Sequence, residues 1–327
     1  MKRCMILMAT YNGGKYIRKQ LQSICDQNYE NWNLLIRDDG STDDTLQIIN
    51  EYIKNDSRIS VLKNETDIHG AYFNFWSLIN YARTLERFDY YFFADQDDIW
   101  EVDKLRAFVQ ASAKFDKTPL YVYSDMSTIN SEGNIILQSV NETMGITMRD
   151  DERTLFYSQG YVWGCASMVN RLLFEKVHPM NIHSKGADII SHDNFYAKHA
   201  LIIGNVLFIN QQLIRHRRHE NNTTGEYAMK LTPSIIIKKG LLSLDETAKT
   251  HALGYDQTLY TIDWMLNHGI VNEQLKKIKD SILSGGFRGA LGLIRYKVRR
   301  PQVSRTIGIY IIMLTKKYKS YLTYKGV

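Results

Sequence analysis

Met5–Ala9 is an unbroken apolar run, the pattern of a parallel strand buried on both faces. Ile17, Leu21, Ile24 and Cys25 then return at helical spacing. Trp32–Arg37 reads as a second strand and ends in the turn Asp38-Asp39-Gly40-Ser41. Thr42 or Asp43 can cap the next helix, which carries Leu46, Ile49 and Ile53. Ile59–Leu62 predicts a third strand, Phe73–Leu85 a third helix and Tyr90–Ala94 a fourth strand. This alternation implies right-handed strand–helix–strand units wound into a mostly parallel sheet. Tyr121–Tyr123, Gly164–Val169 and Val206–Ile209 look like further strands, and beyond Gly225 the pattern is mainly helical.

In such sheets ligands sit beyond the carboxyl ends of the strands. The polar clusters fall there: Thr10-Tyr11-Asn12 after strand one, Asp38-Asp39 at the end of strand two, Asn64 after strand three and Asp95-Gln96-Asp97-Asp98 after strand four. Three scattered cysteines with no paired spacing argue against a disulfide framework or a zinc site and fit a reducing cytosol. The apolar run after Lys2 and Arg3 is too short for a secretion signal. The net charge of +6 belongs to the tail: positions 281–327 hold ten Lys or Arg and no acid, which leaves the first 280 residues at −4.

The strongest chemical signal is Phe92-Phe93-Ala94-Asp95-Gln96-Asp97-Asp98-Ile99-Trp100, an apolar strand that delivers three carboxylates into one turn. Carboxylates so close repel, and hard oxygen ligands suit Mg²⁺ or Mn²⁺ with substrate phosphates. The bland alternative is a solvated acidic turn. Together with Met8-Ala9-Thr10-Tyr11-Asn12-Gly13-Gly14 and Arg37-Asp38-Asp39-Gly40-Ser41-Thr42-Asp43, this turn resembles, in order and spacing, the family 2 glycosyltransferases of GT-A fold, over roughly residues 3–225. The resemblance implies that Thr10, Tyr11, Asn12, Asp39 and Asn74 bind the donor nucleotide, with Asp39 on its nucleobase or ribose. It implies that Asp95 and Asp97 hold the metal–diphosphate, Asp97 as the direct ligand.

The second half extends the likeness. Trp163-Gly164-Cys165-Ala166-Ser167 resembles the segment lining the acceptor side, and Ser191-His192-Asp193 the motif whose aspartate is the catalytic base. A helix cap is the structural alternative for Asp193. Arg215 to Asn222 resembles the Tyr-Arg-x-His-x-x-Asn segment of bacterial rhamnosyltransferase-like members, with His216 where tyrosine is usual. There the resemblance gives Arg217 to the diphosphate and His219 to the metal, and leaves His216 and Arg218 without a role. At Asp67-Ile68-His69-Gly70 the chain departs from the family's usual Asn-x-Gly, which bears on donor-sugar preference.

The expected architecture is a GT-A domain over 1–225, with a nucleotide half (1–119) and an acceptor half (120–225), followed by a helical basic region over 226–327. The expected reaction is inverting transfer from a nucleotide-sugar, dTDP-L-rhamnose first and UDP-hexoses second, to a glycan or polyprenyl-linked acceptor in surface-polysaccharide synthesis. A sugar nucleotidyltransferase and an inactive nucleotide-sugar-binding subunit are the competing readings. The run Ile307–Leu314 is too short to span a bilayer. With its basic, tyrosine-rich flanks it either lies peripherally on the inner face of the membrane or packs as a terminal helix. No nucleic-acid-binding module accompanies the charge.

Overall fold

The computed structural model describes residues 1–146, 162–220, 244–300 and 302–326. They fall into two compact units. The first holds 1–140, 162–196 and 203–220; the second holds 141–146, 197–202 and the residues from 244 on. The expected domain boundary at 225, with Asn221 and Asn222 of the rhamnosyltransferase-like segment, lies outside the described residues.

The first unit is built on β1 (Cys4–Thr10), β2 (Trp32–Asp38), β3 (Ile59–Lys63) and β4 (Tyr90–Asp95), all mutually parallel. Met5 to Met8 and Tyr91 to Ala94 are buried throughout, as expected of strands covered on both faces. The helices α1 (Ile17–Cys25), α2 (Thr45–Asn55) and α3 (Ala71–Ala82) connect them. The N-cap of α2 is Asp44, next after the expected Thr42 or Asp43, and Asp43 accepts the Thr45 N–H at 3.1 Å from just ahead of it. α3 is nearly all apolar on the inner side, with Phe75, Trp76, Leu78 and Ile79 buried.

Beyond β4 the sheet turns mixed. The remaining elements in order are β5 (Ile99–Trp100), α4 (Lys104–Ser112), β6 (Leu120–Ile129), β7 (Ile135–Leu137), α5 (Val140–Met144), β8 (Ser167–Asn170), α6 (Arg171–Lys176), α7 (His192–Ile203) and β9 (Asn205–Arg217). The sheet order is β3-β2-β1-β4-β8-β6-β9-β5, with β7 on β6. β8 runs antiparallel to both its neighbours, and β5 antiparallel to β9. The expectation of a mostly parallel sheet thus holds for the β3-β2-β1-β4 half. Gly164–Ala166 is a 3₁₀ turn ahead of β8, and β9 runs on to Arg217, far past the four apolar positions that signalled it.

β1 and β4 are neighbours whose connections leave in opposite directions, which opens a crevice at their carboxyl ends. The register opposes Thr10 to Asp38 and Ala9 to Asp95, so the polar strand ends gather at that crevice.

The second unit comprises α8 (Leu244–Asn267), α9 (Glu273–Ser284), α10 (Gly286–Arg295), α11 (Val303–Thr315) and a 3₁₀ turn at Lys317–Tyr321. Its core includes Tyr255, Leu259, Ile278, Leu293, Ile309 and Tyr318. The tail is pinned by Asp256, whose carboxylate accepts the Thr323 and Tyr324 N–H groups at 2.9 Å each. No helix among the described residues is long and apolar enough to cross a membrane.

Candidate active site

The loop after β1 is zipped to the loop after β2. The Asn12 N–H donates to Ser41 Oγ (2.9 Å), and Asn12 Oδ1 accepts from the Thr42 N–H (2.9 Å). The Gly13 and Gly14 N–H groups donate to Thr45 Oγ1 and Asp43 Oδ2. Asn12 takes a left-handed conformation at φ 47°, which asparagine tolerates better than most residues. Gln96, the middle residue of the Asp-x-Asp turn, clamps this loop to β4. Its Oε1 accepts from Thr10 Oγ1 (2.6 Å) and the Tyr11 N–H (2.8 Å), and its Nε2 donates to the Tyr11 carbonyl (2.9 Å). The Tyr11 ring is left exposed at the mouth of the crevice. Nothing in the sequence distinguished Gln96 from a spacer.

The two aspartates closing β2 divide their work. Asp38 accepts the Gly40 and Ser41 N–H groups and shapes the turn. Asp39 is buried and accepts from Asn64 Nδ2 (2.7 Å) and the Gly70 N–H (2.8 Å), with the largely exposed His69 ring 3.4 Å from its Oδ1. Asn74 is enclosed: its Nδ2 donates to the carbonyls of Thr10 and Arg37, and its Oδ1 accepts from Arg37 Nη1. It joins the ends of β1 and β2.

Asp95, Asp97 and Asp98 have different fates. Asp98 is fully buried, and its Oδ1 accepts from the Arg217 N–H (2.9 Å) with His216 Nδ1 at 3.0 Å. Burial alone would raise the Asp98 carboxyl, but His216 and its hydrogen bonds hold it below its usual range; burial opposes the charged His216 ring, and Asp98 raises it. The two form a buried ion pair. Asp97 turns the other way, with its Oδ2 2.7 Å from His219 Nε2. Asp95, half-buried at the end of β4, is pushed up to about 8 by burial and by the Asp98 and Asp97 carboxylates. Behind them Lys104 is wholly buried, donates to the Cys165 carbonyl (2.5 Å) and lies 3.6 Å from the Trp100 ring centroid. Burial lowers its ammonium to about 7 against the pull of Cys165, Asp98 and Asp95.

Arg217 lies against the same turn. Its side chain is fully buried, with Nε donating to the Asp97 carbonyl (2.8 Å) and Nη1 to those of Asn130 and Ser131. The guanidinium lies 4.7 Å from the Tyr16 ring centroid, on which His219 also stacks. These bonds brace the loop that carries Asp97. His216, passed over in the sequence because the family has tyrosine there, fastens the same loop.

Trp163 and Gly164 sit at the 3₁₀ turn before β8, both buried. A Cβ on Gly164 would stand 2.5 Å from His192 Nε2. That imidazole lies between the rings of Phe75 and Phe93, at 4.0 and 4.3 Å, and burial lowers it to about 4. Asp193 follows it as the second residue of α7, so Ser191 precedes the helix and Asp193 is inside its first turn. The Asn194 N–H donates to Asp193 Oδ1 at 2.6 Å. The Asp193 charge is felt by Asp95, Tyr72 and Tyr121 and raises all three. Gly164→Ala is expected to cost about 1–3 kcal/mol, because the ring has no room to retreat. A urea midpoint equal to wild type would show that His192 moves freely.

The carboxylates of Asp95 and Asp97 and the imidazole of His219 are donor types that fit a hard or borderline divalent ion, whereas the ligand-type atoms that lie within 4.8 Å of one another among the described residues belong to Asp98, Cys165 and His216. Asp98 is engaged by His216 and the Arg217 N–H, and Asp95, raised to about 8 by burial and its neighbours, would give up its proton to a cation bound beside Asp97.

The model of the family described as glycosyl transferase family 2 matches residues 5–177. The dTDP-rhamnosyl transferase RfbG of Shigella flexneri is 28% identical over 318 residues, 94% of this chain and 98% of that protein. Residues 1–349 of S. aureus TarS in complex with UDP-GlcNAc superpose with a TM-score of 0.51 at 16% identity, covering 99% of this chain and 93% of that one. The mannosyltransferase PcManGT of Pyrobaculum calidifontis, in complex with GDP-Man and Mn²⁺, gives 0.50 at 14% identity, covering 97% and 87%. These neighbours share the GT-A fold expected from the motifs. The family match sets aside the nucleotidyltransferase alternative, and with more than half its length in that match the chain belongs to glycosyl transferase family 2 and is a glycosyltransferase.

Proposed function

We propose that the protein transfers a sugar, with inversion, from a nucleotide-sugar to a glycan or polyprenyl-linked glycan during bacterial surface-polysaccharide synthesis, at the inner face of the membrane. The observation that carries this is the gathering of Thr10, Asp38-Asp39 and Asp95 at the carboxyl ends of β1, β2 and β4, with the Asp193 charge felt at Asp95. dTDP-L-rhamnose is the proposed donor, supported by the near full-length likeness to RfbG.

Thr10, Tyr11, Asn12 and Asp39 receive the nucleotide, and Gln96 keeps their loop in register with β4. Asp95 and Asp97, with His219, would hold Mn²⁺ or Mg²⁺, which would offset the charge collecting on the departing diphosphate. Arg217 and His216 position Asp97 from behind. Asp193 takes the proton from the acceptor hydroxyl as its oxygen forms a bond to the anomeric carbon. The bond from that carbon to the diphosphate oxygen breaks on the opposite face, and nucleoside diphosphate leaves. Trp163 and Gly164 are proposed to line the acceptor side.

A donor screen by thermal denaturation in Mn²⁺ tests the donor. A ligand bound by the folded state alone stabilises it by about 2.7 kcal/mol at a hundredfold excess over Kd. dTDP-L-rhamnose should raise the melting temperature more than UDP-glucose, UDP-galactose or UDP-GlcNAc. A shift with a UDP-sugar only would replace the donor and leave the family standing.

A further inference from the structure

Among the described residues of the second unit, two helices carry exposed apolar stripes. On α10 the exposed side chains are Phe287 (72%), Leu291 and Ile294, spaced four and three residues apart on one face. On α11 they are Val303 (76%), Ile307, Ile311 and Leu314, again on one face. The opposite faces supply Ala290, Leu293, Ile309, Ile312 and Met313 to the core. Each helix is therefore apolar on two sides, one satisfied by packing and one not. The helices pack together at Gly289, where a Cβ would lie 2.8 Å from the Met313 sulfur, so the stripes are carried by neighbouring helices.

The charge that flanks the stripes along the chain is basic, with Lys317 paired to Asp245 of α8 at 3.1 Å. Arg288 and Arg295 are exposed along one edge of the α10 stripe. Lys297 and Arg299 lie in the connection to α11, and Lys316 and Lys317 follow it, all four exposed. Positions 281–327 contain no Asp or Glu. A second copy on a two-fold axis would bring this positive rim against itself, which disfavours a dimer here. Nucleic acid offers phosphates and nothing for the aliphatic stripes. A bilayer bearing anionic headgroups offers both, acyl chains for the stripes and negative charge for the rim.

We propose that the α10–α11 face docks the protein on an anionic lipid surface, with Phe287, Leu291, Val303 and Ile307 entering the interface and the flanking arginines and lysines contacting headgroups. The proposal rests on the reading of a membrane-borne acceptor for its use alone. Its test needs no donor or acceptor, so failure to bind lipid and failure to transfer sugar are told apart.

The full-length protein should float with vesicles of phosphatidylethanolamine and phosphatidylglycerol, and remain behind with phosphatidylcholine alone or in high salt. Phe287→Asp, at a solvent-exposed position, should lower the partition coefficient about tenfold or more. Arg288→Gln and Arg295→Gln should each lower it about fivefold, at an unchanged melting temperature. Wild-type protein that ignores anionic vesicles would overturn the proposal. So would a Phe287→Asp variant that floats like wild type, or a solution dimer that Phe287→Asp dissociates.

Discussion

Asp193→Asn is expected to bind donor as wild type does and to lose transfer by about three orders of magnitude or more, the scale of a lost catalytic proton acceptor with its positioning. The substitution is nearly isosteric. Asparagine keeps an oxygen for the Asn194 N–H that now bonds Asp193 Oδ1 at 2.6 Å, so the first turn of α7 should stand. What is lost is the basic oxygen within electrostatic reach of the β4 carboxylates. The loss should therefore fall on kcat, while the donor's thermal shift persists. Asp193→Ala, which also removes the acceptor for Asn194, separates a missing base from a frayed helix start: both variants should be equally inactive, and only the second less stable. Wild-type turnover by Asp193→Asn would place the base elsewhere.

Chelation should have an effect of similar size. EDTA is expected to abolish transfer, with Mn²⁺ or Mg²⁺ restoring it, since charge stabilisation by a Lewis acid is worth several kcal/mol, about a hundredfold or more in rate. A readout independent of turnover comes from the free protein. Asp95 is pushed up to about 8 by burial and its neighbours' charge, and a divalent ion relieves that repulsion. Mn²⁺ alone should raise the melting temperature, and Asp97→Ala should remove the rise. Asp98→Asn should behave differently: it leaves His216 buried without its carboxylate partner, so it should destabilise the fold. Undiminished transfer in chelator would take the metal out of the scheme.

That contrast marks how far the sequence reading reached. Asp95, Asp97 and Asp98 look alike in the string Asp-Gln-Asp-Asp, and a carboxylate's role depends on what faces it. The partners of Asp97 and Asp98 come from the end of β9 and from His219 just past it, about 120 positions away, which local periodicity does not register. Arg217 was legible as a cation near the site but not as one spent on main-chain carbonyls. Gln96 and Lys104 gave no signal, because a glutamine in a turn and a lysine opening a helix ordinarily meet solvent. In the tail, Ile307–Leu314 is apolar on every side of a helix, so composition could not tell a packed face from an open one; α11 has both.

The sequence by itself determined the strand–helix alternation, the polar clusters at the strand ends and the family, because buried parallel strands, helical periodicity and short motifs are written in neighbouring residues. Tertiary structure alone decided which carboxylate is neutralised, which cation is buried and which helix faces stay open. Those are consequences of desolvation and pairing between residues far apart in the chain, and they exist only once the sheet has brought them together.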